Sequence, residues 1–209
     1  MRFMAREPAP AAPRSVAILA GAFNPPTIAH AGLVRAARKH AEQVICVIPK
    51  SLPHKDFHTA TLEDRVAMLS ALDAVVAISE AGLLMEIARE CAEHFAPGTR
   101  LFFICGRDAA DRIMTWDYGD GRTPAAVLRD FELLVAPRDG HYDPPAEVRS
   151  RVHWLDLPAG FDAVSSTEVR ERIARGEQWE HLVPRAIVPH VRTIYGHRLI
   201  VDAGVEKRP

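Results

Sequence analysis

The sequence predicts an α/β fold, a doubly wound parallel sheet with helices on both faces. Three observations carry this. Short segments at 16–20, 44–48 and 101–105 are apolar throughout, as strands buried on both faces are. Segments with helical apolar spacing alternate with them. Several of the strands stop at a glycine or proline, namely Gly21, Pro49, Gly106 and Pro137.

The elements follow in order. The first strand, 16–20, runs into Gly21. After Pro26, the spacing of Ile28, Ala31, Val34 and Ala37 predicts a helix. Residues 44–48 are rich in β-branched side chains and form the next strand. Residues 51–60 read as a loop, and Val66, Leu69 and Leu72 give a helix over 62–72. A third strand lies at 75–78. Leu83, Leu84, Ile87, Cys91 and Phe95 share one face of a helix over 83–95. The strand at 101–105 leads to a helix at 108–114 and a turn-rich loop at 119–123. Strands at 131–136 and 152–155 and helices at 166–175 and 184–195 complete the core. Right-handed crossovers place the ligand at the carboxyl ends of the strands, where strand order reverses.

A chain of 209 residues is long enough for one domain with a substantial core. We place that domain at 15–199. Residues 1–14, rich in Ala, Pro and Arg, read as a disordered lead-in, and 200–209 as a frayed tail. The formal net charge of -1 argues against broad electrostatic binding of nucleic acid or of an acidic membrane. No run of 18 apolar residues predicts a membrane span, and the N-terminus lacks the apolar centre of a signal peptide. Cys46, Cys91 and Cys105 form no C-x-x-C pair and read as buried, reduced thiols, which fits the cytoplasm. The sequence is compatible with a homo-oligomer and names no partner protein.

The first strand ends in Gly21-Ala22-Phe23-Asn24-Pro25-Pro26-Thr27-Ile28-Ala29-His30. Gly21 permits a tight turn and close approach to a ligand. Pro26 and Thr27 open a helix, and a helix N-terminus offers free N–H groups and a partial positive charge to phosphates. Thr27 and His30, three apart, lie on one helical face. Far along the chain stands Val164-Ser165-Ser166-Thr167-Glu168-Val169-Arg170. Ser165 with Glu168 forms a capping box, and Val164 with Val169 a hydrophobic staple. A well-built helix start accounts for all of this. The same start also presents hydroxyls, N–H groups and Arg170 to an anion.

These segments resemble the nicotinate and nicotinamide mononucleotide adenylyltransferase family, within the nucleotidylyltransferase superfamily. The first is similar to G-x-F-x-P followed by (H/T)-x-G-H, with Ala29 in place of Gly; the second is similar to I-S-S-T-x-I-R. Pro49 to Lys55 with Arg65-Val-Ala-Met-Leu resembles the family's P-P-H-K and R-x-x-M-L, and Gly106-Arg107-Asp108 with Trp116 its G-x-D and downstream Trp. Arg138 falls where a family Arg follows a strand. The likeness covers roughly 15–197, with the motifs in family order.

The resemblance implies a Rossmann-like fold and adenylyl transfer from ATP to a pyridine mononucleotide. It implies His30, Thr27, Lys55 and Arg170 as catalytic residues. It implies Gly21, Ala22, Phe23, Gly106, Asp108, Ser165, Ser166 and Thr167 around ATP, and Asn24, Arg65, Trp116 and Arg138 around the acceptor. It implies Mg²⁺ riding on ATP, with no metal held by the protein alone. Residues 80–86 lack the family's Ser/Tyr-Thr element, Arg107 fills a slot usually held by a smaller residue, and 117–124 is expanded. The choice between nicotinate and nicotinamide mononucleotide stays open, and so do another nucleotidyl transfer and a nucleotide sensor without catalysis.

Other chemistry finds little support. Walker A, G-x-G-x-x-G and G-x-S-x-G patterns are absent. His54 and His58 sit in a Pro-containing loop without a third zinc ligand.

Overall fold

A computed structural model describes residues 1–4, 13–50, 59–72, 74–116, 121, 123–136, 142–158 and 164–205, with side chains up to 196. Its strands are β1 (Arg2–Met4), β2 (Ser15–Ala20), β3 (Gln43–Pro49), β4 (Val75–Ser79), β5 (Arg100–Gly106), β6 (Glu132–Ala136) and β7 (Val152–Trp154). Its helices are α1 (Ile28–Ala37), α2 (Leu62–Ser70), α3 (Leu84–His94), α4 (Arg107–Thr115), α5 (Pro124–Val127), α6 (Ser166–Ala174) and α7 (Val188–Val205).

The strands form one sheet in the order β1-β4-β3-β2-β5-β6-β7. Strands β2 to β7 pair in parallel, and β1 runs antiparallel to β4. From β2 the chain steps outward to β3 and β4, then returns to the other side of β2 with β5. That reversal lies at the carboxyl ends of β2 and β5, the place where open sheets of this kind bind ligands.

The pleat sends alternate residues to opposite faces, and each face is covered. On one, Val16, Ile18, Ile45, Val47 and Phe103 pack with Ile87 and Cys91 of α3 and Ala110 of α4. On the other, Ala17, Leu19, Cys46, Ile48 and Ile104 pack with Ala36 and Ala37 of α1 and Leu69 of α2. A third cluster joins Met68 of α2, Val169 of α6 and Ile187, Val191, Ile194 and Tyr195 at the start and along the length of α7. It ties the last two helices to α2.

The structure corrects several expectations. Within 1–14, read as a disordered lead-in, Arg2–Met4 form a strand whose residues pair with Ile78, Ala77 and Val76. The exposed backbone edge of β4 supplies ladder bonds that composition does not reveal. Helix α7 continues to Val205, past the expected tail boundary at 200. Leu83, assigned to the apolar face of α3, is the N-cap and is 58% exposed. Cys105 is half-buried rather than buried, because it lies near the open carboxyl end of β5. Helix α5 was not foreseen; four residues are too few to show a period.

Candidate active site

The segment from Gly21 to Thr27 leaves β2 at the strand-order reversal and leads into α1. Its first main-chain bond still belongs to the sheet, with the Gly21 N–H donating to the Val47 carbonyl at 3.0 Å. Beyond Gly21, the left-handed conformation in this turn falls on Phe23, at φ 50°. Such a φ is uncommon for a bulky residue and needs outside support. Phe23 is 1% exposed, and a Cβ on Gly21 would lie 3.5 Å from its ring. The ring also packs beside the His30 imidazole, centroids 5.1 Å apart.

Thr27 is the N-cap of α1 and is fully buried. Its backbone N–H donates to His30 Nδ1 at 3.0 Å, and its Oγ1 lies 2.8 Å from the same nitrogen. The imidazole thus takes the place of a capping-box carboxylate. With Nδ1 accepting, the ring proton sits on Nε2. Burial lowers the His30 pKa to about 4. The residue is therefore a neutral imidazole at neutral pH, with a donor on the side away from the cap.

Three other helices hold this loop. Arg65 of α2 donates to the Ala22 carbonyl at 3.2 Å and the Thr61 carbonyl at 3.3 Å. Arg170 of α6 donates to the Asn24 carbonyl at 2.6 Å and to Thr167 Oγ1 at 3.2 Å. Ser166 Oγ donates to the Pro25 carbonyl at 2.8 Å. Tyr195 of α7 donates to Asn24 Oδ1 at 2.5 Å. The N-terminus of α6 therefore touches the loop that leads to the N-terminus of α1. Ser165 caps α6 by accepting from the Glu168 N–H at 3.0 Å, but the capping box expected from the sequence is only half formed, because the Glu168 carboxylate accepts from Arg172 at 3.0 Å instead.

The remaining candidates divide. Gly21, Ala22, Phe23, Thr27, His30, Ser166 and Arg170 gather around one loop, and Ser165 and Thr167 adjoin it on α6. Gly106 ends β5 and caps α4, with open space where a Cβ would stand, and Asp108 in the first turn of α4 is exposed. Trp116, just past α4, is 64% exposed. Asn24 and Arg65, expected around the acceptor, are 7% and 3% exposed and bonded into the loop's support. Burial lowers the Arg65 pKa. Lys55, Arg138, His54, His58 and 117–120 lie outside the described residues. Sequence reasoning missed Tyr195, whose position on the apolar face of α7 announces packing but not a bond to Asn24. It also missed an ion pair between Lys50 and Glu80, one residue beyond the carboxyl ends of β3 and β4.

Among the described residues, no three His, Cys, Asp or Glu side chains gather to hold a metal ion. A Mg²⁺ that keeps its waters and binds phosphate oxygens asks for no such cluster.

Residues 18–172 match the cytidylyltransferase-like family. A probable nicotinate-nucleotide adenylyltransferase of Solibacter usitatus is 34% identical over 194 residues, covering 85% of this chain and 96% of the relative. The chain belongs to the nicotinate/nicotinamide-nucleotide adenylyltransferase family. Another such adenylyltransferase, from Moorella thermoacetica, is 27% identical and covers 93% of this chain and 97% of its own. Among solved structures, the nicotinic acid mononucleotide adenylyltransferase of Plasmodium falciparum complexed with NaAD superposes with a TM-score of 0.64. It is 16% identical, with 86% of this chain and 95% of that chain covered, a likeness of fold. The Rossmann-like fold expected from the sequence is the fold of this adenylyltransferase family member.

Proposed function

We propose that this chain transfers the adenylyl group of ATP to nicotinate mononucleotide, or to nicotinamide mononucleotide, releasing pyrophosphate. The observation that carries the reading is the Thr27–His30 pair at the start of α1, in contact through its loop with the start of α6 and placed where strand order reverses. Two helix N-termini and a neutral imidazole donor converge there on a site suited to a polyphosphate.

In the reaction, an oxygen of the acceptor's 5′-phosphate attacks the α-phosphorus of ATP. The bond from that phosphorus to the bridging oxygen breaks, and pyrophosphate leaves with the electron pair. Catalysis rests on positioning and on donors aimed at phosphate oxygens, with no covalent intermediate on the protein. His30 Nε2–H and the loop N–H groups of Ala22 and Phe23 face the ATP phosphates. Thr27 fixes the His30 tautomer. Ser165, Ser166 and Thr167 supply the α6 end, with Arg170 on the pyrophosphate side and Lys55 neutralising phosphate. Gly106 and Asp108 take the adenosine, and Trp116 with Arg138 the acceptor. Asn24 and Arg65 act on the acceptor only through the loop they hold. Mg²⁺ arrives on the nucleotide. Residues 15–199 are the catalytic unit. Among the described residues no helix is long and apolar enough to cross a membrane, and we place the enzyme in the cytoplasm.

The test is pyrophosphate release from ATP and Mg²⁺, with the two mononucleotides side by side. Release with either supports the reading, and the ratio of kcat/KM names the acceptor. A folded, ATP-binding protein that releases none with either overturns it.

A further inference from the structure

We propose that Tyr195 is a positioning residue for adenylyl transfer: its hydroxyl, bonded to Asn24, makes α7 the buttress that keeps the 21–27 loop and His30 in reacting geometry. The inference rests on the reading of that loop as the reacting centre.

The loop cannot hold its shape from within. Phe23 sits at φ 50°, a conformation a bulky residue adopts only with outside support. Two consecutive prolines, Pro25 and Pro26, have no N–H to donate. Shape must come from neighbours, and four side chains supply it. Arg65, Arg170 and Ser166 grip the carbonyls of Ala22, Asn24 and Pro25. Any residue would offer those carbonyls. Tyr195 grips the Asn24 side chain, so it reads the identity of the residue directly after Phe23.

The bond is built for precision. Tyr195 is fully buried and Asn24 is 7% exposed, so water does not compete for either group. The donor–acceptor distance is 2.5 Å. The Tyr195 ring packs in the cluster of Met68, Val169 and Val191, whose members come from α2, α6 and α7. Arg65 lies within electrostatic reach of the phenol. The helices that hold the loop are thus fixed to one another around this ring. The Tyr195→Phe substitution keeps the ring in that cluster and deletes only the hydroxyl. It leaves Asn24 Oδ1 buried without its donor, free to turn and carry the loop with it.

The experiment compares wild type with Tyr195→Phe, well below the melting temperature of each. Three quantities are measured: kcat and KM for pyrophosphate release, calorimetric ATP affinity, and the imidazole ¹⁵N signals of His30. The expected result is a 10- to 100-fold fall in kcat with KM for both substrates changed less than threefold, and displaced His30 ring signals. A purely structural hydroxyl would lower the melting temperature and leave kcat and the His30 signals at wild-type values; that result overturns the proposal. Wild-type protein without pyrophosphate release would sink the adenylyl-transfer reading instead. The His30 signals then still decide whether Tyr195 sets the loop.

Discussion

In a His30→Asn variant, the acid-side loss of stability should be smaller than in wild type by about 2 kcal/mol at pH 5. The magnitude follows from burial. His30 has a pKa of about 4 in the folded chain against 6.5 for the free side chain. As pH falls below 6.5 the unfolded chain takes up a proton that the folded chain refuses, so stability falls with pH. The loss begins near the unfolded value and levels off near the folded one. At about 1.4 kcal/mol per pH unit, the gap between the two values limits the whole effect to roughly 3.4 kcal/mol. Between pH 7.5 and pH 5 the same relation gives about 2 kcal/mol. Asn cannot take up this proton, and its side-chain oxygen can accept from the cap as Nδ1 does. Urea unfolding of both proteins at both pH values isolates the contribution as a difference of differences, in which other titrating groups cancel. A difference below about 0.5 kcal/mol would mean that His30 titrates alike in both states. The lowering by burial would then be refuted, and part of the imidazole would carry a proton at pH 7.

Arg65→Met keeps side-chain bulk but removes bonds to the Ala22 and Thr61 carbonyls; we expect a loss of about 2–3 kcal/mol, seen as a drop in melting temperature of roughly 5–10 °C. An unchanged melting temperature would show that the buried guanidinium holds nothing. Trp116→Ala removes an exposed ring, so the melting temperature should stay within about 2 °C while KM for the mononucleotide rises severalfold. An unaltered KM would remove Trp116 from the acceptor site. Burial pushes the Cys46, Cys91 and Cys105 thiols up to about 12. In native protein at pH 8, Cys46 and Cys91 should therefore stay unlabelled by a thiol-specific disulfide reagent until unfolding, while half-buried Cys105, its pKa raised, reacts slowly. Rapid native labelling would contradict that burial.

The sheet and the nucleotide loop were legible because both are written in local pattern. Apolar runs such as that of β5 can satisfy themselves only between two covered faces, and the Gly21-to-His30 segment combines a strand end with a helix start. β1 was not legible, because a three-residue strand on the edge of β4 depends on partners more than 70 residues away, at Val76, Ala77 and Ile78, rather than on its own period. The same limit hid the wiring of the site. The sequence marks Asn24 and Tyr195 as a polar loop residue and an apolar helix face, 171 residues apart. Their bond exists only because α7 folds back over α2 and α6. At the carboxyl edge of β3 and β4, the Lys50–Glu80 pair arises the same way, from two loops whose strands are neighbours in the sheet.

The placement of Arg65 shows how a residue can serve anion binding without touching the anion. The C=O and N–H of a trans peptide point in opposite directions. Arg65 holds the Ala22 carbonyl toward α2, so the Phe23 N–H, in the same peptide unit, is turned the other way. The carbonyls of Asn24 and Pro25 are likewise drawn toward α6, and the peptide units they belong to end in Pro25 and Pro26, which carry no N–H. Holding those two therefore orphans no donor. The loop gives its acceptors to its own helices and turns the Phe23 N–H away from α2, the polarity a phosphate requires. Arginine is suited to this task, since its charge survives burial and its planar fork spans two carbonyls at once. The Arg65→Met variant should accordingly raise KM for ATP as well as lower stability, whereas an arginine that only packed would affect stability alone.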